Sequence, residues 1–149
     1  MDEPDTPGQL KARALRHLVR REHSRAELAR KLAPHAASPA AVEEVLDLLL
    51  SRKQQSDSRY AEERVRVLSR KYGPARIRHD LRAKGIAEEI VESVRIEGEL
   101  ERARAILERK YRVPATTPDE RARRARFLQG RGFSMGTIVR LIRPLEEAP

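Results

Sequence analysis

The sequence has 149 residues, 37% of them charged and 39% hydrophobic, with a net charge of +9. Its core must be modest and its surface ionic, and the charge favours a polyanionic or acidic partner. With no cysteine there are no disulfides or thiolate metal sites, and the longest apolar run outside alanine-rich segments, the three leucines at 48–50, is far too short to span a membrane.

The opening MDEPDTPGQ is acidic and proline-rich, the opposite of a signal peptide; residues 1–9 read as a flexible acidic tail on a cytoplasmic protein. Helical periodicity follows almost throughout, with no sustained two-residue alternation. A first helix is expected near residues 10–22, with Ala14 or Leu15, Leu18 and Val19 inward. Ser24 with Glu27 forms a capping box for a second, which carries Leu28 and Leu32 before Pro34. Ser38-Pro39 starts a third, with Val42, Val45, Leu46 and Leu49 on one face.

A fourth helix is expected from Asp57 or Ser58, with Ala61, Val65, Leu68 and Tyr72 inward. The next segment, KYGPARIRHDLRAKGI at 71–86, holds five Lys/Arg against one Asp. Gly73 suits the end of one helix, Pro74 the start of the next, and Gly85 its left-handed stop. Ile77 and Leu81 make a narrow apolar stripe. A sixth helix carries Ile86, Ile90 and Val94, and a seventh, from about Gly98, carries Leu100, Ala103, Leu107 and Tyr111. Thr117-Pro118-Asp119-Glu120 is a cap with a capping-box Glu, opening an eighth helix with Ala125 and Leu128 that Gly130 or Gly132 closes. The ninth begins at Ser134 and carries Ile138, Leu141 and Ile142 before Pro144.

Nine helices fall into three groups of three, at residues 10–55, 56–97 and 98–149. Leu18-Val19, Val67-Leu68 and Ile106-Leu107 begin equivalent positions, and Lys-Tyr recurs at 71–72 and 110–111. Each group is too small to bury much apolar surface alone, so neighbours must supply part of its stability. The expected fold is all-α: three tandem three-helix repeats.

Several stretches are similar to one known family. Arg21-Glu-His-Ser-Arg-Ala-Glu-Leu28 with Lys31-Leu32, then YGPARIRHDLRAKGI, then Arg126-Phe-Leu-Gln-Gly-Arg-Gly-Phe133, resemble the RecX family of bacterial recombination regulators over roughly residues 12–143. The resemblance implies an elongated, curved stack of three-helix repeats. It also implies binding to RecA recombinase and its nucleoprotein filament, with restraint of ATP hydrolysis, strand exchange and filament growth. One segment departs: where the family has a Gly-aromatic-aliphatic-Asp/Asn-Asp turn before an Arg-aromatic pair, this chain reads SRKQQSDSRYAEE, and only Asp57, Arg59, Tyr60 and Ala61 keep the pattern.

Charge is segregated. Residues 121–145 hold seven Arg and no acid, and 11–31 hold eight Lys/Arg against two Glu. Residues 86–101 have six Glu and one Arg, and 33–50 have three acids and no base. Separate basic and acidic faces suit a complex containing both DNA and protein. The candidates for contact with nucleic acid or a partner are Arg20, Arg21 and Arg25 in the first repeat. In the second they are Arg70, Lys71, Arg76, Arg78, Arg82 and Lys84, and in the third Arg121, Arg123, Arg124, Arg126 and Arg131. On the basic helix, Arg76, Asp80 and Lys84 form an internally paired row, which leaves Arg78 and Arg82 to face a partner. Phe127 shares a face with Arg123 and is expected to pack on an adjacent helix.

No catalytic, cofactor or metal site is expected: the four His show no ligand spacing and there is no glycine-rich phosphate loop. Aromatic residues make up only 3%, which argues against a platform for stacking single-stranded bases. DNA binding should be weak, electrostatic and independent of sequence, by a monomer. A helix-turn-helix transcription regulator is the alternative, weakened by the acidic third helices of repeats one and two.

Overall fold

The computed structural model describes residues 3–143. Residues 1–2 and 144–149, which include Pro144 and the start of the expected tail, lie outside them. Among the described residues there are nine α-helices, one 3-10 turn and no strand, the all-helical architecture expected. The helices are α1 (Pro7–Arg20), α2 (Arg25–Leu32), α3 (Pro39–Ser51), α4 (Asp57–Leu68) and α5 (Pro74–Ala83), then α6 (Glu88–Ser93), α7 (Glu99–Lys110), α8 (Pro118–Gly130) and α9 (Met135–Ile142). The chain divides into two compact units, one of residues 1–63 with 81–93 and one of residues 64–80 with 94–149.

In the first unit α1, α2 and α3 pack together over Leu10, Ala14, Leu28, Leu32, Val42, Val45, Leu46 and Leu49. Helix α1 starts at Pro7, earlier than expected. Thr6 and Gln9 exchange side-chain and backbone hydrogen bonds in a complete capping box (2.8 and 3.2 Å), and Pro7 at N1 gives up an N–H that needs no partner. Asp5 pairs with Arg13 at 2.8 Å, and its N–H donates to the His35 carbonyl. Residues 5–9 are therefore built into the fold and are no tail. The early start also corrects the inward face. Leu10 is buried, and Val19, nine residues on and half a turn off that face, is 86% exposed. The Ser24 hydroxyl accepts from the Glu27 N–H, but Glu27 does not complete the box, because Arg21 and Lys31 take its carboxylate.

The segment that departs from the family pattern has its own solution. Lys53 takes a left-handed φ of 59°, and Gln54 and Gln55 donate to the Leu49 carbonyl to end α3. The buried Gln55 amide donates to the His23 carbonyl (3.2 Å) and to Asp57 (2.9 Å), and Asp57 accepts from the Arg25 N–H (2.8 Å). The Asp57 carboxylate, held by the Gln55 amide, thus satisfies the start of α2, and the Ser56 hydroxyl caps α4 by accepting from the Arg59 N–H (3.2 Å). In α6 the fully buried residue is Val91, whereas Ile90 is half-buried, as is Val94 just beyond the helix end. With only six residues, this helix is positioned by one inward side chain.

In the second unit α7, α8 and α9 enclose Ala103, Ile106, Leu128, Phe133 and Ile138, with Leu107, Ala125, Phe127, Leu141 and Ile142 packed around them. The Thr117 hydroxyl caps α8 through the Glu120 N–H (3.1 Å), and the Glu120 carboxylate reaches one residue further back, to the Thr116 N–H (2.7 Å). Ser134 caps α9.

Candidate nucleic-acid and partner interface

The second unit contains a backbone clasp built on two glycines. Gly73 does not adopt a left-handed conformation; a side chain there has no room instead. A Cβ at Gly73 would lie 2.6 Å from the carbonyl carbon and oxygen of Gly132, and one at Gly132 would lie 2.5 Å from Arg76 Cβ and N. Gly132 is also the left-handed residue after α8, with φ +93°. At this approach the Gly73 N–H donates to the Arg131 carbonyl (2.7 Å) and the Ala75 N–H to the Gly132 carbonyl (3.1 Å). Three guanidinium groups complete the clasp: Arg76 donates to the Gly130 carbonyl (3.0 Å), Arg131 to that of Lys71 (3.3 Å) and Arg109 to that of Arg70 (3.2 Å).

Cations and rings alternate beside the clasp. The Arg76 and Arg131 guanidinium groups lie 4.4 and 5.5 Å from the Tyr72 ring, and Arg131 also lies 5.2 Å from Phe127. Lys110 sits 5.2 Å from Phe127, Phe127 meets Tyr111 edge-on at 6.0 Å, and Arg124 covers Tyr111 at 4.5 Å. Three of the five aromatic residues of the chain are thus used to hold cations. A guanidinium braced on a ring loses little further freedom when its N–H edge meets a phosphate or carboxylate. With their faces occupied by cations, these rings are poorly placed to stack bases. Phe127 packs against Tyr111 and the α7–α9 core, the role its position suggested.

The structure redistributes the sequence candidates. Arg76, Arg124 and Arg131 join the braced ladder, while Arg70, Lys71, Arg123 and Arg126 are exposed. Arg121 lines a groove on the same unit. Lys110, Tyr72 and Tyr111 belong to the ladder and were not among the candidates; the Lys-Tyr repeat at 71–72 and 110–111 was the signal for them. The expected charge rows of α5 do not hold. Asp80 binds Arg64 of α4 (2.9 and 3.3 Å) and neither Arg76 nor Lys84, because Arg76 is committed to the clasp. Arg82 is not open to a partner, since both its Nε and Nη2 engage Glu88 (2.8 and 2.6 Å). That pairing holds the Glu88 carboxyl below its ordinary range. Arg78 is half-buried.

In the first unit Arg25 spans to α3, pairing with Glu43 (2.6 Å) and Asp47 (2.7 Å), and Arg21 holds Glu27. Both help to fasten the unit. Arg20 is exposed, beside Arg16, His17 and Val19. Below them the buried His23 has Nδ1 at 3.0 Å from the Arg21 carbonyl and Nε2 at 2.9 Å from Lys31 Nζ. An ammonium can only donate, so Nε2 accepts and the proton sits on Nδ1: the ring is neutral. Burial pushes the His23 pKa below its usual value, and the hydrogen bond from Arg21 holds the Glu27 carboxyl down at about 2. His17, 5.5 Å away, is lowered in the same way. A depressed His favours folding fully only above its unfolded pKa of about 6.5. Urea unfolding midpoints should therefore fall as pH drops from 7 through 6. The drop should be smaller in His23→Gln; an equal drop would show that His23 does not titrate on unfolding.

Tandem three-helix units with a clasped, arginine-rich face define a helical-repeat protein suited to anionic partners. The matches to known proteins are more specific. Models of the first, second and third three-helix domains of RecX match residues 11–54, 56–94 and 97–142. The chain is 45% identical over 137 residues to the regulatory protein RecX of Leptothrix cholodnii, covering 90% of this chain and 87% of that one. It is 42% identical over 142 residues to that of Ralstonia nicotianae, covering 93% and 89%. The crystal structure of RecX from Lactobacillus salivarius superposes with a TM-score of 0.81 at 23% identity, covering 95% of this chain and 97% of that one, a likeness of fold. The chain belongs to the RecX family of regulatory proteins.

Proposed function

We propose that this chain is a non-enzymatic regulator that binds RecA recombinase and its nucleoprotein filament on DNA, and so restrains ATP hydrolysis, strand exchange and filament growth in DNA repair and recombination. Membership of a family of regulatory proteins supports the general role. The observation that carries the finer reading is the face of the second unit, where Arg76, Arg131, Arg124 and Lys110 are braced on Tyr72, Phe127 and Tyr111. Such a face meets phosphate and carboxylate groups without reading base edges. A groove-reading helix is less well supported: α3 commits Glu43 and Asp47 to Arg25, and α6 opens with Glu88 and Glu89. The protein is proposed to act as a monomer in the cytoplasm, within the response to DNA damage. No helix among the described residues is long and apolar enough to cross a membrane.

The direct test is ATP hydrolysis by RecA on single-stranded DNA, titrated with this protein. Progressive inhibition is expected, and an unchanged rate at excess protein would overturn the proposal. Binding to bare single strands should be weak and similar for different sequences. Four phosphate contacts would give a slope of log affinity against log salt of about −3; a slope near zero would mean that the braced cations serve something other than phosphate.

A further inference from the structure

We propose that the groove between the end of α7, the start of α8 and the end of α9 is a docking site for an acidic peptide carrying an apolar anchor residue. The groove encloses about 550 Å³, a size suited to a side chain and its flanking backbone. Its walls include Leu107, Tyr111, Leu141 and Ile142, and Val113 on its edge is 68% exposed. Around this apolar lining stand Arg112, Arg121, Arg124 and Arg143, with Glu108 as the one acid. Phosphodiester backbone needs only the cations and gains nothing from an aliphatic lining. A base would need an open ring face, but Arg124 already lies over Tyr111 and Phe127 abuts it edge-on. A peptide uses both halves of the chemistry: an aliphatic side chain removes Leu141, Ile142 and Val113 from water, and flanking carboxylates meet the four guanidinium groups. The inference does not rest on the RecA reading, because the groove alone specifies the ligand chemistry.

The test is fluorescence anisotropy of the full chain with a labelled peptide of one leucine flanked by four glutamates. Saturable binding is expected, weakened about tenfold or more when the leucine becomes serine, and likewise when the glutamates become glutamines. The Arg112→Glu, Arg121→Glu protein should lose affinity about as much, and Arg112→Gln, Arg121→Gln less, with circular dichroism confirming each fold. The charge-matched change Arg30→Glu, Arg52→Glu should leave affinity unchanged. Equal binding of the serine peptide, or full affinity in the Arg112→Glu, Arg121→Glu protein, would overturn the site. So would a single-stranded oligonucleotide that displaces the peptide and fails to bind that variant, which would assign the groove to nucleic acid. Binding seen only after removal of residues 144–149 would assign it to the chain's own end and likewise overturn the proposal.

Discussion

Gly132→Ala is expected to lower the unfolding free energy by about 3 kcal/mol or more. A left-handed backbone charges an added Cβ about 1–2 kcal/mol, and here that Cβ would also sit 2.5 Å from Arg76 Cβ and N, an overpacking of a further 1–3 kcal/mol by the usual order of magnitude. For a chain of this size the melting temperature should fall by roughly 6–12 °C. Gly73→Ala should act in the same direction through contact alone, since its obstacles are the backbone atoms of Gly132 and Phe133. Gly8→Ala is the control: nothing lies within 4 Å of its Cβ position and it sits in the first turn of α1, so a neutral change or a gain of a few tenths of a kcal/mol is expected. Scanning calorimetry of the three variants checks this. Equal melting temperatures for Gly132→Ala and Gly8→Ala would mean that the clasp contributes no stability.

Lys110→Glu, Arg123→Glu is expected to raise the concentration needed for half-inhibition of RecA's ATPase by about tenfold or more, which corresponds to about 1.4 kcal/mol. Both residues are exposed and make no ion pair among the described residues, so folding should change by no more than about 1 kcal/mol, chiefly the lost contact of Lys110 with the Phe127 ring. Arg82 would be the wrong target, because its reversal meets Glu88 directly. Glu88 is for the same reason a poor acidic control. Glu89→Lys, Glu92→Lys on exposed positions of α6 should not reproduce the defect. Inhibition equal to wild type by the folded Lys110→Glu, Arg123→Glu protein would remove this face from the contact.

What was legible in the sequence was local. Ser38-Pro39, Thr117-Pro118 and Ser134 mark helix starts because a cap and its N–H partner lie within three residues. Thr6-Pro7 with Gln9 carries the same signal, obscured by the surrounding acids and prolines, and α1 was expected to start late. Periodicity identified Ile77 and Leu81, both fully buried, but not Val91, whose burial depends on what the short α6 packs against. Charge pairing was the least legible. Spacing of four suggested Arg76–Asp80–Lys84, yet Asp80 is claimed by Arg64, sixteen residues away, and Arg76 by the Gly130 carbonyl, fifty-four residues away. Those partners depend on how helices pack, which periodicity within one helix does not encode. The 3% aromatic content concealed the ladder for a similar reason, since few rings suffice when tertiary packing gathers Tyr72, Tyr111 and Phe127 in one unit.

The measurement closest to the central claim is an image by electron cryo-microscopy of RecA filaments on single-stranded DNA with this protein added. Density for the protein along or at the end of the filament is expected, with the Tyr72, Tyr111 and Phe127 face turned toward DNA or a RecA subunit. Filaments of unchanged length with no added density, or the protein found on bare DNA alone, would contradict it.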